Sequence, residues 1–395
     1  MEHFGEGFAD RTAGKDGEAA AAEEIERIFR EGHSAADVRM QKTELSAYAN
    51  AYTRNATARL GPESARKVVI GAHYDNYFSE NLAKTNSGTG AEGAYNNLTG
   101  LSILLSLYEY FYDHYMDAGD VWQLDFAVEF AAFGAQAIDF AGARYYLGKT
   151  DPSDVLMYIN LDCVGGGDHL YLYCDEARRP HEDYICGLAQ TAGINVKLPP
   201  KNKKTMSVSS GITPYTHYGL RSDNVVFMNA GIPSAYLFSR NWDTRKKFGA
   251  VESDAYAPII GTANDTLKTL EELYRGYDNK MDAAARLVTL AVTGEEFVSV
   301  CAAARAEGFD YGFVNSKFWA NVILLALVAL TSAGVYWFYQ KLKTRSDGPE
   351  PEEFAPKEPH RDSVFGGDYE PKDSSGRRGP PGAGGDCGGN VFPGY

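Results

Sequence analysis

The sequence has few cysteines and no cysteine pair at metal-binding spacing. Five cysteines occur in 395 residues, scattered at positions 163, 174, 186, 301 and 387. An odd and dispersed set of this kind predicts neither a disulfide framework nor a thiolate zinc site. Cys163 lies in an apolar run, and we interpret it as a small buried residue.

Positive charge is also scarce. The chain has 38 Lys and Arg against 53 Asp and Glu, a formal net charge of −15. This balance disfavours a nucleic-acid partner, whose phosphates require a basic surface. The amino-terminal stretch MEHFGEGFADRTAGKDGEAAAAEEI has neither a basic start nor an apolar core, so it is not a signal peptide. We expect either that a leader has been removed or that the domain stays inside the cell.

One long uncharged run stands out from this composition. Phe318–Tyr339 holds 22 residues without a charge, which suffices to cross a bilayer core as a helix, and aromatic residues bracket it. Three basic side chains follow within residues 341–345, whereas only Arg305 and Lys317 precede the run closely. The pattern predicts a single-pass membrane protein with its large domain outside the cytoplasm and its tail in the cytoplasm.

The composition divides the chain into three parts. Residues 1–310 read as a globular domain, 311–340 as a juxtamembrane and transmembrane helix, and 341–395 as a tail rich in Pro and Gly. The tail has too little apolar surface to offset chain entropy, so we expect it to be disordered. A structural membrane subunit whose tail, Ser346–Tyr395, carries the function is one alternative.

Strand and helix patterns alternate through the first part. Apolar runs at residues 66–76, 124–134, 155–165, 169–175 and 231–239 read as strands, and segments with helical spacing separate them. The alternation predicts an α/β fold with a mixed, largely parallel central sheet and helices on both faces. Functional loops should then lie at the carboxyl ends of the strands, where His73, Asp75, Gln136 and Asp162 occur.

Several sequence blocks resemble, in order, those of metallopeptidase family twenty-eight. They are RTAGKDGEAAAAEEIERIFRE, GAHYDN, GAYNNLTG, FGAQAIDFAGARYY, NLDCVG, SDNVVFMNAGIPSAYL and GTANDTLKTL, which together cover roughly Gly7–Phe297. The resemblance implies a zinc-exopeptidase-like fold. It also implies a site with two zinc ions, five protein ligands of which one carboxylate bridges the ions, and a glutamate as general base.

Two of the implied ligands are present. His73 matches the first histidine ligand, and Asp162 matches a carboxylate ligand. Asp75 matches the residue of the second shell that orients the histidine. The resemblance suggested that His73 and Asp162 bind different ions, which would leave one ligand for each.

The other implied positions hold residues that cannot perform the same chemistry. Asn96 stands at the bridging carboxylate, Gln136 at the general base, Ala137 at the next ligand and Gly261 at the last histidine. A neutral amide is a poor bridge between two dications and cannot accept a proton at neutral pH, and alanine and glycine offer no ligand atom.

These losses predict a membrane-anchored protein without peptidase activity that binds a peptide, another small ligand or a partner membrane protein. No cofactor is expected. The alternative is an active metallo-aminopeptidase with a rearranged or single-metal zinc site, in which Asp139, Asp223 or Glu92 supplies a substitute carboxylate.

Two weaker patterns complete the candidates. Ser209, Ser210 and His217 suggest a serine hydrolase, but no G-x-S-x-G sequence accompanies them. Asn55, Asn97 and Asn264 begin N-x-Ser/Thr sequences, which matter only in a glycosylating compartment.

Overall fold

The computed structural model describes residues 1–31, 33, 36–45, 50–76, 92–116, 121–174, 179–199, 222–240, 263–308 and 312–346, with the backbone alone at 312–321 and 343–346. The chain divides into two units, Met1–Asn315 and Ser316–Tyr395. The predicted tail beyond Ser346, Gly261, and the Ser209, Ser210 and His217 set lie outside the described residues.

Within the described residues, eight strands form one mixed sheet in the order β1-β2-β4-β3-β5-β8-β6-β7. The neighbours β4, β3, β5 and β8 are parallel, whereas β2 runs antiparallel to β4 and β6 antiparallel to β8. The strands are β1 Asp37–Glu44, β2 Tyr52–Leu60, β3 Lys67–His73, β4 Ala127–Phe133, β5 Val155–Leu161, β6 His169–Tyr173, β7 Val196–Lys197 and β8 Ser234–Arg240.

Every residue of the four central strands is buried. Their sequences are continuous apolar runs rather than alternating ones, as expected of parallel strands that are covered on both faces. The parallel arrangement brings the carboxyl ends of β3, β4, β5 and β8 to one edge of the sheet.

Helices cover both faces of the sheet. One apolar cluster joins Val68 and Ile70 of β3 to helices α2, α3, α5, α8 and α9, and a second joins Val69 to α4 and α6. The helices are α1 Glu2–Gly7, α2 Asp16–Arg30, α3 Thr99–Tyr115, α4 Ala141–Leu147, α5 Pro180–Thr191, α6 Asn224–Asn229, α7 Leu267–Leu273, α8 Tyr277–Thr293, α9 Phe297–Glu307 and α10 Gly312–Ser346. The predicted α/β architecture is confirmed.

Two features differ from the sequence-based reading. β1 and β2 were not predicted, because their sequences DVRMQKTE and YTRNATARL are polar and lack a clear apolar alternation. The turn Ala94–Leu98 precedes α3 and has a non-helical backbone at Asn96 and Asn97, so the helix begins at Thr99. Asn97 is therefore free to bond across the sheet edge instead of continuing the helix.

The second unit contains one long helix. Within α10, Val322–Leu342 is long and apolar enough to cross a membrane, and its side chains are not buried. In the rest of the described chain, α8 and α9 taken together are also long and apolar enough to cross a membrane. However, the two helices meet at 89° and contribute buried residues to the domain core. The sequence-based span, Phe318–Tyr339, overlaps this segment of α10.

Candidate active-site cleft

Four loops meet at the carboxyl edge of the sheet. The chain leaves β3 at His73 and β5 at Leu161, so His73 and Asp162 lie beside one another there. The β4–α4 loop carries Gln136 and Ala137, and the turn before α3 carries Asn96. The structure thus gathers all the described residues that the family resemblance singled out. This edge is where open α/β sheets bind ligands.

His73 is bonded on both ring nitrogens. Its Nε2 lies 3.3 Å from Oδ1 of Asp162, and its Nδ1 lies 3.1 Å from the backbone oxygen of Asp75 and 3.4 Å from Oδ1 of that residue. All three side chains are buried. Burial is the largest effect on the pKa of His73 and acts to lower it. Asp162 and Asp75 outweigh burial and raise that pKa well above its usual value.

The partner carboxylate responds in the opposite sense. Burial acts to raise the pKa of Asp162, but His73 and, more weakly, Arg240 bring it below the usual range. Both directions favour an imidazolium facing a carboxylate. An imidazolium has no free lone pair for a metal ion.

The separation of His73 and Asp162 differs from the expectation that they bind different ions. Two ligand atoms at 2.0–2.1 Å from one tetrahedral zinc are about 3.3 Å apart. The observed 3.3 Å between Nε2 of His73 and Oδ1 of Asp162 equals that distance. After loss of the proton, these two side chains could share a single ion.

Asp75 fixes the loop after β4. Its Oδ1 accepts a hydrogen bond from the backbone N–H of Gln136 at 2.9 Å, and its Oδ2 accepts one from Ala137 at 3.2 Å. Glu18 of α2 accepts the N–H of Ala135 at 3.0 Å. The loop is thus held against β3 by two buried carboxylates, and the residues that it presents there are an amide and a methyl group.

The turn before α3 is fixed by an aspartate that the sequence reading had not identified as a site residue. Asp265 accepts the N–H of Tyr95 at 2.6 Å and that of Asn96 at 3.2 Å. The side-chain oxygen of Asn96 accepts the Cys163 thiol at 3.3 Å. Asp265 lies in the block GTANDTLKTL, which contributes to the family resemblance, but the resemblance gave this residue no role.

Asn97 has a different role from Asn96. Its Nδ2 donates to the backbone oxygens of His73 and Leu161, and its Oδ1 accepts the N–H groups of Gly100 and Cys163. The side chain is fully buried and joins the ends of β3 and β5 to the start of α3. Of the three sequon asparagines, Asn55 is buried as well, and Asn264 alone is exposed.

The substitute carboxylates have different environments. Asp139 is exposed and pairs with Arg144 at 3.1 Å, so it does not join His73. Glu92 accepts the N–H of Leu267 at 2.8 Å, which anchors α7. Asp223 is fully buried, and neither of its carboxylate oxygens has a hydrogen-bond partner.

Asp223 nevertheless lies close enough to the cleft to interact with its charges. Burial raises the pKa of Asp223 to about 8, His73 acts against that rise, and Asp75 and Asp162 add to it. Near neutral pH a large share of this carboxyl group is therefore protonated. A protonated carboxyl adds no charge to bind a dication.

The described residues do not fit a two-zinc centre. Among them, no group of three or more His, Cys, Asp and Glu side chains is placed to hold a metal ion. At the implied position of the second ion, Ala137 offers no ligand atom. A cavity of about 570 Å³ lies elsewhere, and none of the family positions lines it. Its walls are Gly167, Asp168, Glu272, Leu273, Tyr274, Arg275 and Lys280.

Comparison with known proteins agrees with the fold. The sequence model of Peptidase family M28 matches residues 55–272, more than half of the chain. The LapA aminopeptidase of Legionella pneumophila is similar in structure, with a TM-score of 0.51, 14% identity and coverage of 76% of this chain and 69% of LapA. A Zn-dependent exopeptidase from Parabacteroides distasonis also has a TM-score of 0.51, with 17% identity and coverage of 73% and 94%. At such identities the structural likeness shows the fold, and the sequence match shows the family: the chain belongs to peptidase family M28.

Proposed function

We propose that this chain is a membrane-anchored member of the M28 family that binds a peptide in its cleft without hydrolysing it. One observation carries the proposal. Asp75 holds the backbone of Gln136 and Ala137 in a fixed loop beside His73, and those two residues lack the chemistry that the family positions require.

The argument depends on what the fixed loop offers to a bound peptide. The Gln136 amide cannot take a proton from water at neutral pH, and losing a general base costs about 10²–10⁴ in rate. Ala137 cannot bind an ion. Because both backbone N–H groups are bonded to Asp75, a small shift of the loop would not bring another side chain to these positions.

Peptide is the ligand class that the family favours. The similar structures are named as an aminopeptidase and an exopeptidase, and both classes act on peptides. The cleft of this chain keeps hydrogen-bonding groups at its rim, since Asn96 and Gln136 are partly exposed. Amide side chains both donate and accept hydrogen bonds, which suits an extended peptide backbone.

A second candidate is a metallo-aminopeptidase with a single ion. The 3.3 Å between Nε2 of His73 and Oδ1 of Asp162 favours it, because one tetrahedral ion could contact both atoms. The remaining ligands would be neutral, such as the Asn96 amide oxygen or water. Zinc sites use about four ligands, of which catalytic sites draw three from the protein.

Metal content and hydrolysis separate the two candidates. We expect the purified full chain in detergent to retain less than one zinc per chain after dialysis. We also expect no chelator-sensitive hydrolysis of leucine p-nitroanilide. The Asp162→Ala variant should behave like the native chain in both assays.

The contrary result is equally specific. The single-ion enzyme would be established instead if the native chain binds stoichiometric zinc and hydrolyses the substrate. Both properties would then be lost in Asp162→Ala and kept in Asp139→Ala. Asp139→Ala is the matched control, because Asp139 belongs to the same loop as Gln136 but pairs with Arg144 at the surface.

We propose further that Val322–Leu342 spans the membrane with the carboxyl-terminal tail in the cytoplasm. Basic residues at 341–345 support this orientation. Arg305, which the sequence reading counted on the other side, donates to the backbone oxygens of Gly231, Pro152 and Val155 within the domain. Arg305 therefore belongs to the folded domain rather than to the residues that flank the membrane. Without Arg305 on the domain side, the excess of basic residues on the tail side is larger.

Protease protection tests the orientation. In intact cells that produce the chain, we expect added protease to cut the domain and to leave an epitope fused after Tyr395 intact. Permeabilised cells serve as the control, in which both should be cut. Loss of the epitope in intact cells would reverse the orientation.

A further inference from the structure

Arg240 is a buried cation beside the cleft. It is the last residue of β8. This strand pairs with β5, whose last residue, Leu161, directly precedes Asp162. Only 5% of Arg240 is exposed, and its guanidinium lies 6.0 Å from the ring centre of Tyr95 and 5.4 Å from that of Phe238. The guanidinium thus contacts the side chain that precedes Asn96 in the chain, and its charge interacts with Asp162.

Only one nitrogen of this guanidinium has acceptors. Nη1 donates to the Tyr95 hydroxyl at 3.2 Å and to the backbone oxygen of Ser239 at 2.7 Å. Nε is buried without a partner, Nη2 bonds to no described residue, and Arg240 forms no ion pair with a described carboxylate. A buried N–H group without an acceptor is costly, so this edge of the guanidinium calls for one.

Arg11 shows how this fold satisfies a buried arginine that has a structural role. It is equally buried, and its Nε, Nη1 and Nη2 donate to the backbone oxygens of Tyr74, Phe8 and Glu92. All three of its nitrogens are therefore used. Among the described residues, Arg240 lacks such partners on one edge.

The unused edge of Arg240 has a defined chemistry. Nε and Nη2 present two parallel N–H groups, the arrangement that binds both oxygens of a carboxylate. Asp162 is the nearby acid, but its Oδ1 faces His73 and its Oδ2 lies 3.5 Å from the Tyr236 hydroxyl. Each oxygen of Asp162 therefore faces another partner, and among the described residues no carboxylate binds this edge of Arg240.

We infer that Arg240 binds a carboxylate group of the peptide in the cleft through Nε and Nη2. The inference rests on the proposed function and narrows its ligand to an acidic one. The carboxylate has two sources, the carboxyl terminus of the peptide or an acidic side chain. Both offer the same two oxygens to the guanidinium.

Three blocked peptides separate these sources. Acetyl-trialanine carries a terminal carboxylate alone, acetyl-Ala-Glu-Ala amide carries a side-chain carboxylate alone, and acetyl-trialanine amide carries none. Binding to the full chain in detergent is measured by calorimetry for the native chain, Arg240→Lys and Arg305→Lys. Arg305→Lys is the matched control, because Arg305 donates only to backbone oxygens within the domain.

We expect one of the two acidic peptides to bind the native chain more tightly than the uncharged peptide. Its Kd should rise at least about tenfold in Arg240→Lys, because lysine keeps the charge but cannot form two parallel bonds. Arg305→Lys should leave that Kd unchanged. Thermal unfolding of each variant shows that the domain remains folded.

Two outcomes would overturn the inference. Either no acidic peptide binds better than the uncharged one, or Arg240→Lys binds the acidic peptide as tightly as the native chain does. If all three peptides bind equally, the cleft binds peptides as proposed and the role of Arg240 alone fails. The proposed function fails on a different measurement, namely zinc uptake together with hydrolysis.

Discussion

Replacement of Asn97 by alanine is expected to lower the free energy of unfolding by about 4 kcal/mol, near the upper end of single-residue effects. The side chain makes four hydrogen bonds, all to backbone groups of His73, Leu161, Gly100 and Cys163. Removing a buried partner leaves each group unsatisfied, at roughly 1–3 kcal/mol each and with incomplete additivity. Chemical denaturation of the full chain in detergent measures the change.

The neighbouring asparagine provides the control. Asn96 is partly exposed, and its side chain accepts a single weak bond from the Cys163 thiol. Asn96→Ala should therefore cost less than about 1 kcal/mol. Equal effects at the two positions would contradict the assignment of Asn97 as the residue that joins β3, β5 and α3.

The fold could be predicted because its central strands carry a strong signal. β3, β4, β5 and β8 are buried along their whole length and mostly apolar, which is typical of strands covered on both faces. β1 and β2 gave no such signal. β1 is the edge strand, where half of the side chains are exposed and polar residues are tolerated, and β2 buries several polar side chains of its own, such as Thr53, Asn55 and Thr57.

The site could be predicted only as far as residue types along the chain allow. The convergence of His73 and Asp162 followed from their places at strand ends, but their 3.3 Å separation did not. The role of Asp265 was hidden because it bonds backbone N–H groups 170 residues earlier in the chain. Arg240 gave no signal at all, since an unused guanidinium edge is a property of three-dimensional packing.

The distinction between Asn96 and Asn97 shows the same limit more sharply. In the sequence they are identical neighbours in a loop. In the structure, Asn97 bonds inward to two strand ends, while Asn96 lies at the rim with its backbone held by Asp265. Asn97 therefore has a structural role, whereas Asn96 stands at the position of the bridging ligand.

Substitution of Asn96 is expected to give the largest change in ligand affinity. We expect Asn96→Asp to raise the affinity of the full chain for zinc by about 100-fold. Structural zinc sites with four ligands bind with about 10–16 kcal/mol, so a single ligand contributes roughly 3 kcal/mol, which corresponds to a factor of about 100. The substitution would add a third charged or imidazole ligand to His73 and Asp162, whose ligand atoms already have the spacing for one ion. Competition with a fluorescent zinc chelator measures the affinity.

The gain should depend on the other ligands and should not restore catalysis. In an Asp162→Ala background, Asn96→Asp is expected to give no increase in zinc affinity, because too few ligands remain for one ion. Asn96→Asp alone should leave peptide hydrolysis undetectable, since the amide of Gln136 still cannot accept a proton. Adding Gln136→Glu to Asn96→Asp should then make hydrolysis detectable, because a general base contributes about 10²–10⁴ in rate. If Asn96→Asp binds zinc no more tightly than the native chain, Asn96 does not occupy the bridging-ligand position.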